Sequence, residues 1–364
     1  MTDQMISNTI NTNRADRLQL RLAMAKRAFT TRHVDFARAE RLVRSGRAPQ
    51  AGDVVLARVK SVGQHGRIEN VHGRRGQLYV GDEIVVAFGN RYAPDQFEAF
   101  VPTDLGDCDL VAGGGVASKM TRKHSGMKQP TRIEVLGLVV DATGQVLNLA
   151  DFALAADPEP TRPQLTIAVV GSSMNAGKTT TAAGLVHGLT LAGFRVGAAK
   201  ITGTGSGGDL WAMRDAGAIE ALDFTDAGHA STFGTGIEDL SSIASTLLDR
   251  LAGAGADIAI VEIADGLLQS ETAALVEMAN AAGWFDGFVF AAGDAMGAAY
   301  GVSLLETRGI RPLTISGLVS ASPLAAAEAA QCTAVPVATL AELHDPVSVT
   351  KIVFGTRQRL REAA

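Results

Sequence analysis

Residues 166–181 read TIAVVGSSMNAGKTTT, an apolar run that breaks into a glycine-bounded loop ending in lysine and threonine. The pattern predicts a buried strand, a loop and the start of a helix. Such a loop binds nucleotide phosphates through backbone N–H groups, with one ammonium for the β- and γ-phosphates and one hydroxyl for Mg²⁺. Lys178 and Thr179 would supply the ammonium and the hydroxyl. We expect nucleotide contacts from Gly171, Ser173, Met174, Asn175, Ala176, Gly177, Lys178, Thr179 and Thr180.

The spacing of this loop differs from the common phosphate-binding pattern. Five residues separate Gly171 from Gly177, where the common pattern has four. The flanks support a phosphate loop, because an apolar strand-like run precedes it and a helical pattern with Leu185 and Leu189 on one face follows it. The alternative is an ordinary strand-to-helix turn with an incidental lysine.

Length and composition restrict the class of protein. With 364 residues and 46% hydrophobic content, the chain can bury a core and form two or three domains. Its two cysteines, Cys108 and Cys332, are too few for a disulfide framework or a cysteine metal cluster. No apolar run approaches the roughly 20 residues of a membrane span, and the start of the chain lacks a secretory signal. We therefore expect a cytoplasmic protein that does not bind a membrane.

The first 50 residues are basic, with ten Lys and Arg against four acidic residues, so they carry a net charge of +6 and the remainder carries −11. Apolar residues at helical spacing, from Leu18 to Ala25 and from Phe36 to Val43, predict a helical hairpin with solvent-facing arginines. The alternative is a basic arm that binds nucleic acid or an acidic membrane face, and we expect neither as a partner.

The character of the chain changes twice after this arm. Residues 51–155 contain short alternating strands bounded by Gly, Asn, Asp or Pro, which predict a small antiparallel β-barrel-like domain. Three prolines within residues 156–163 indicate an extended linker over 156–164. From 165 to 364, apolar strands alternate with helices, which predicts an α/β domain with a mostly parallel sheet. Because the phosphate loop lies at its start, we expect this to be a P-loop NTPase domain. The strands expected there are 165–170, 195–200, 258–263, 287–290 and 313–319, with an edge strand at 334–338 and a closing helix at 346–361.

Open α/β sheets bind ligands beyond the carboxyl ends of their strands, so the residues that end each strand are candidates for the site. Lys200 leaves an apolar strand into a Gly/Thr loop, where its ammonium would stabilise charge during phosphoryl transfer. The alternative is a lysine that snorkels from the rim of the sheet. Glu262 ends another apolar strand and is a candidate catalytic carboxylate and Mg²⁺ ligand beside Thr179.

Several other polar residues have two interpretations. Asp209 either caps a helix or serves as a third Mg²⁺ ligand, and Asp265 either caps the next segment or orients a water. Asp223, Asp226 and His229 either contact metal or substrate or form turns and caps. The basic cluster at 119–124 either receives an anionic substrate or forms a solvated loop, and we favour the loop.

The carboxyl-terminal pieces together resemble dethiobiotin synthetase and its relatives among the P-loop NTPases of the signal-recognition, MinD and BioD class. The family's phosphate loop also has five residues between its glycines, as here from Gly171 to Gly177. Its second strand ends in a lysine before a Gly/Thr loop, as at Lys200, and its carboxylate strand is similar to VEIADG at 261–266. The resemblance covers residues 165–340 only.

This resemblance implies ATP- and Mg²⁺-dependent acyl- or carbamoyl-phosphate chemistry, because the family's enzymes phosphorylate a carbamate before closing a ring. Two departures affect the loop. The family's acidic loop residues are replaced by Ser173 and Asn175, and Ser173 also stands where several relatives have a lysine five positions before Lys178. The preceding β domain has no counterpart in dethiobiotin synthetase.

Two functions follow as alternatives. The first is an ATP-dependent ligase or kinase that transfers the γ-phosphoryl group to a small carboxylate, carbamate or amine-derived acceptor, acting as a homodimer. The second is a regulatory or chaperone-type NTPase that drives assembly of a protein partner. The sequence does not distinguish ATP from GTP, although the Asn-Lys-x-Asp motif of typical GTPases is absent from it.

Overall fold

The computed structural model of the chain describes residues 16–362, with side chains described up to residue 355. The chain divides into two compact units. Unit 1 contains the described residues up to Leu154, together with two later segments, Thr204–Gly207 and Phe224–Phe233. Unit 2 contains Ala155–Gly203, Gly208–Asp223 and the described residues from Gly234 onward.

Within the described residues, the regular elements of unit 1 are an α-helix over residues 16–24 (α1), short strands and three 3₁₀ turns. The strands are Lys26–Arg27 (β1), Arg41–Val43 (β2), Val54–Ser61 (β3), Arg67–Glu69 (β4), Arg75–Gln77 (β5), Glu83–Phe88 (β6), Arg91–Tyr92 (β7), Phe97–Phe100 (β8), Cys108–Ala112 (β9), Val116–Lys123 (β10) and Thr131–Val140 (β11).

Five strands of unit 1 pair in a closed cycle. β3 pairs antiparallel with β6 and β11, and β9 pairs antiparallel with β11 and β10. β10 then pairs with β6 in parallel, with Val116 opposite Ala87. β4 and β5 form a separate two-stranded sheet.

The core of unit 1 lies on both sides of β3. Val54 and Leu56 are buried in one apolar cluster, to which α1 contributes Leu22, whereas Val55 and Ala57 are buried in another. Successive side chains of a strand point to opposite faces, so this alternation shows that both faces of β3 are covered.

The predicted helical hairpin is only half present. α1 provides a first helix, but the prediction of a second helix over residues 36–43 is wrong. Phe36–Arg38 forms a single 3₁₀ turn, and β2 pairs antiparallel with β11, with Val43 opposite Leu138. Pairing with β11 satisfies the backbone there, while Phe36 and Ala39 still reach the core. Residues 1–15 of the predicted arm lie outside the described part of the chain.

The prediction of a solvated loop at residues 119–124 is also wrong. These residues lie mostly on β10, where Met120 pairs with Ala99 of β8. The strand is buried at Val116 and exposed from Thr121 to Lys123, so the cluster is solvated as expected. A strand end that faces water on both sides lacks the apolar alternation by which strands are recognised in a sequence.

Unit 2 alternates strands and helices. Its strands are Leu165–Gly171 (β12), Val196–Lys200 (β13), Glu220–Asp223 (β14), Ile258–Glu262 (β15), Gly287–Ala291 (β16) and Thr314–Ser316 (β17). Its helices are Lys178–Leu191 (α2), Gly208–Asp215 (α3), Ile237–Gly253 (α4), Ser270–Ala281 (α5), Ala295–Glu306 (α6), Pro323–Thr333 (α7), Leu340–His344 (α8) and Pro346–Glu362 (α9). No helix of the described residues is long and apolar enough to cross a membrane.

The sheet of unit 2 has the order β14-β13-β15-β12-β16-β17, and each of these pairings is parallel. β12 lies between β15 and β16 and is buried along its whole length. Five of the strands agree with the predicted ones to within three residues at each end. β14 was not predicted, and residues 334–338 contribute only an isolated bridge between Val337 and Ile315.

Helix α2, which follows the phosphate loop, packs closely on α8. A Cβ atom at Gly188 would lie 2.1 Å from the carbonyl oxygen of Leu343 and 3.0 Å from Cγ1 of Val349. A Cβ at Gly184 would lie 3.0 Å from Leu340. The close approach of the two helices therefore requires glycine on this face of α2.

We expect Gly188→Ala to lower the free energy of unfolding by about 1–3 kcal/mol, because the added methyl group overlaps a backbone oxygen that cannot rotate away. The matched control is Gly355→Ala in α9, where a Cβ would meet nothing within 4 Å. There the higher helix propensity of alanine predicts a gain of up to about 1 kcal/mol. Urea denaturation of both variants measures the difference, and equal effects would contradict the close packing.

Candidate functional site

The loop between β12 and α2 makes a sharp turn into the helix. Asn175 and Gly177 have left-handed φ angles of 62° and 98°, and Gly177 is the N-cap of α2. A Cβ atom at Gly177 would lie 2.8 Å from Cα of Gly317. The turn places Lys178 and Thr179 in the first turn of α2, where unpaired N–H groups and the helix dipole favour an anion.

Lys178 lies folded back over its own loop. Its Nζ donates a hydrogen bond of 2.8 Å to the carbonyl oxygen of Ser173, and the residue is only 6% exposed. A Cβ atom at Gly171 would lie 2.8 Å from Cγ of Lys178, so a glycine leaves room for its stem. Burial lowers the pKa of Lys178, although the charges of Glu262 and Asp265 oppose this.

Thr179 lies between two carboxylates. Its Oγ1 is 3.0 Å from Oδ1 of Asp209 on α3 and 3.1 Å from Oε1 of Glu262 at the end of β15. Because a hydroxyl has one proton, Thr179 can donate to only one of them at a time. The expected metal-binding residues are thus brought together in one hydrogen-bonded group.

Lys200, at the end of β13, forms an ion pair with Oδ2 of Asp209. Burial alone would lower the pKa of Lys200, but the charges of Asp209 and Glu262 outweigh it and hold that pKa above its ordinary value. Burial likewise acts to raise the pKa of Asp209, and the charge of Lys200 outweighs it and keeps that pKa low. The pair therefore stays charged at neutral pH.

Glu262 is the most buried carboxylate of the group, at 2% exposure. Burial, followed by the charge of Asp209, raises the pKa of Glu262 to about 7 in spite of the two lysines. Its Oε2 is buried and makes no hydrogen bond to the described residues. Buried polar atoms in proteins nearly always have partners, so this oxygen is suited to a cation or a donor from a ligand.

These side chains line a pocket of about 380 Å³ in unit 2. Its lining consists of Met174, Asn175, Gly177, Lys178, Thr179, Thr180, Lys200, Asp209, Glu262, Ala264, Asp265 and Leu318. Three of the expected nucleotide contacts, Gly171, Ser173 and Ala176, are not among them. Within the loop, the carbonyl oxygens of Ser173 and Ala176 accept hydrogen bonds from Lys178 Nζ and Leu318 N.

Leu318 and Ala264 were not predicted as site residues. Leu318 follows Gly317, just beyond the end of β17, and the rule that ligands bind at carboxyl ends of strands could have identified it. Ala264 follows the end of β15 by two residues, at the same edge of the sheet. Their apolar side chains gave no chemical signal in the sequence.

Three residues had two interpretations in the sequence and do not line this pocket: Asp223, Asp226 and His229. Asp226 and His229 belong to unit 1, where Oδ1 of Asp226 lies 2.6 Å from both Arg32 Nη2 and His33 Nε2. Asp223 ends β14 and is buried. For Asp226 these contacts favour the structural interpretation.

The donor set of the pocket fits Mg²⁺ bound together with a nucleotide. No group of three or more His, Cys, Asp or Glu side chains arranged to hold a metal ion occurs in the described part of the chain. Mg²⁺ usually takes one or two carboxylates and completes its shell with phosphate and water. Thr179 and Glu262 provide a hydroxyl and a carboxylate with one unused buried oxygen, and Asp209 provides a second carboxylate.

Among solved structures, similar chains include the signal recognition particle receptor FtsY from Elizabethkingia anophelis in complex with GDP, at 16% identity and a TM-score of 0.38, covering 56% of this chain and 68% of that one. FtsY from the chloroplast of Physcomitrella patens has the same identity, coverage and TM-score. A DUF1611 family protein from Anabaena variabilis is 13% identical with a TM-score of 0.38, covering 58% of this chain and 65% of that one.

No protein-family model and no curated protein sequence matches the chain. Because the TM-scores are below 0.5, these structural similarities decide nothing about activity. Unit 2 nevertheless has, on its own geometry, the P-loop arrangement of a buried central strand, a glycine-bounded loop and a helix that starts with lysine and threonine.

Proposed function

We propose that unit 2 binds ATP with Mg²⁺ and transfers the γ-phosphoryl group to a small carboxylate, carbamate or amine-derived acceptor. The observation that carries this proposal is the convergence of Lys178, Thr179, Lys200 and Glu262 in one pocket at the carboxyl edge of a parallel sheet. Two ammonium groups and a Mg²⁺-type donor set are the parts that phosphoryl transfer requires.

The loop and Lys178 would hold the phosphates. The N–H groups at the start of α2 would bind phosphate oxygens, and Lys178 would exchange the Ser173 carbonyl for the β- and γ-phosphates. This exchange is favourable because an ammonium binds an anion more strongly than it binds a neutral carbonyl.

Lys200 would stabilise the negative charge of the group in transfer. Its pairing with Asp209 keeps it protonated and fixes its position in the pocket. A charge that is already oriented needs no reorganisation during the reaction, which is the basis of electrostatic catalysis.

Thr179 and Glu262 would hold the metal, with Asp209 as an additional ligand. Mg²⁺, when bound, neutralises charge on the phosphates. Glu262 would offer Oε2, its unpartnered oxygen, whereas Asp209 is already engaged by Lys200 and Thr179. Glu262 therefore ranks before Asp209 as a ligand.

We propose the predicted domain organisation together with the activity. Residues 51–155 would form a small β-barrel-like domain, in keeping with the cycle of strand pairings in unit 1. Residues 156–164, which form neither helix nor strand, would be the linker. Residues 165–364 would form the NTPase domain, apart from Thr204–Gly207 and Phe224–Phe233, which belong to unit 1. We further propose that the protein acts in the cytoplasm as a homodimer, with a small anionic or amine acceptor as its partner.

The decisive experiment incubates the purified protein with ATP, Mg²⁺ and a pool of small carboxylates and amines, and measures ADP release and the mass of new products. A product that forms with the wild type and not with Lys178→Met supports phosphoryl transfer. Hydrolysis that is accelerated by another protein, without a small-molecule product, would favour the regulatory NTPase. Absence of nucleotide binding would refute both.

A further inference from the structure

Unit 1 contains a pocket of about 490 Å³ lined by arginines. Arg17 and Arg21 project from α1 one turn apart, and Arg41 comes from the start of β2. Among the described residues that line it, Glu40 is the single carboxylate. The volume falls within the range of roughly 300–1,000 Å³ that is typical of small-molecule sites.

The three arginines differ in how they are engaged. Arg21 is fixed by Glu83, with Nη2 at 2.7 Å from Oε1 and Nε at 3.1 Å from Oε2. Glu83 also accepts a hydrogen bond of 3.0 Å from Arg58, so one carboxylate serves two guanidinium groups. The side chains of Arg17 and Arg41 form no ion pair or hydrogen bond within residues 16–355.

The wall that carries Arg41 is well defined. β2 pairs with β11, with Arg41 opposite Val140, and the following turn of β11 is held by Asp141, whose Oδ1 accepts hydrogen bonds from Thr143 and Gln145. A Cβ atom at Gly144 would lie 2.9 Å from Nη2 of Arg41. The glycine thus leaves space for the guanidinium.

The lining combines this charge with apolar surface. Counted over the described lining residues, three arginines and one glutamate give a net charge of +2. Glu83, which holds Arg21, lies outside the lining and is shared with Arg58. Leu18 and Leu42 contribute apolar atoms beside the arginines. Such a site can take a ligand with an anionic group and a less polar body.

We propose that this pocket binds a small molecule through a phosphate group. The guanidinium forks of Arg17 and Arg41 hold the phosphate oxygens, and Arg21 adds a fixed positive charge. Guanidinium matches phosphate geometry with paired N–H donors, and neither fork is engaged by a side chain or backbone group of residues 16–355. A concave pocket of this volume fits a small ligand, whereas an extended basic stripe would indicate nucleic acid.

The test uses inorganic pyrophosphate as the probe. Isothermal titration calorimetry measures its binding to the full chain at moderate salt. All proteins carry Lys178→Met, so that the phosphate loop of unit 2 does not retain the probe. We expect saturable binding of one pyrophosphate, weakened about tenfold or more by Arg17→Gln combined with Arg41→Gln, since two charge-assisted contacts are lost.

Two further variants separate a site from general surface charge. Arg122→Gln removes a guanidinium that is 83% exposed on β10 of the same unit, and it should leave binding unchanged. Arg41→Lys keeps the charge and removes the fork, and it should weaken binding by a smaller factor than Arg41→Gln. Equal weakening by Arg122→Gln, or binding that does not saturate, would overturn the proposal, as would full binding by the double variant.

Discussion

Replacing Lys178 with methionine is expected to weaken MgATP binding by roughly 100-fold or more, because the ammonium meets the phosphates in a buried site with little solvent screening. The removal also leaves the pocket with Asp209, Glu262 and Asp265 against Lys200 alone, so its remaining charge repels the phosphates. Equilibrium binding of a fluorescent ATP analogue measures the loss.

The fold should survive this change. Methionine retains most of the volume of the lysine stem, and burial already disfavours the charged form of Lys178, as its lowered pKa shows. The matched control is Lys351→Ala on α9, which removes an exposed lysine outside the pocket. Equal affinity in Lys178→Met and wild type would remove the basis of the proposed function.

Replacing Glu262 with glutamine is expected to have opposite effects on function and stability. The variant loses the carboxylate with the unpartnered Oε2. The factor by which Mg²⁺ raises the affinity for nucleotide should therefore fall by about tenfold or more. At pH 8 without metal, however, the variant should be more stable than the wild type, with a free energy of unfolding about 1–3 kcal/mol higher, because it no longer buries a carboxylate charge.

The pH dependence fixes the sign of the stability effect. The pKa of Glu262 is about 7 in the folded protein, against an ordinary value of 4.5. Between these values the folded protein holds a proton that the unfolded chain has released, so stability falls as pH rises from 4.5 to 7. Glutamine cannot titrate, so the advantage of the variant should be absent near pH 4.5 and complete above pH 7.

Urea denaturation at several pH values, with and without Mg²⁺ and nucleotide, measures both effects of Glu262→Gln. Glu328→Gln is the control, because Glu328 is exposed on α7 and lies outside the pocket. A variant that is less stable than the wild type at pH 8 would show that the charge of Glu262 stabilises the fold, which contradicts the expected cost of burying it.

The phosphate loop was predictable because its signals are local. The buried run of β12, Gly177 at a left-handed φ and the lysine that starts α2 are neighbours in sequence, so their roles follow from spacing. Lys200 and Glu262 were identified by a topological rule, which needs only the end of an apolar strand.

The partners of these residues were not predictable. Asp209 contacts both Thr179 and Lys200 because of the way α3 packs against the sheet, which the sequence does not reveal. In the sequence, a carboxylate at the start of a helix is indistinguishable from a helix cap. The burial that raises the pKa of Glu262 is likewise a property of the packed chain. The arginine pocket of unit 1 joins α1 to β2, a strand that was predicted as helix.

Unit 1 is built from three separate segments of the chain. This affects where the chain can be cut into fragments and the order in which its units fold during synthesis. A fragment ending near residue 155 would lack Thr204–Gly207 and Phe224–Phe233, and with them the Asp226 carboxylate that accepts the largely buried guanidinium of Arg32. Arg32 would then be left beside apolar surface without its anion. During synthesis, unit 1 can be completed only after residue 233 has left the ribosome, so the first unit in the sequence need not be the first to finish folding.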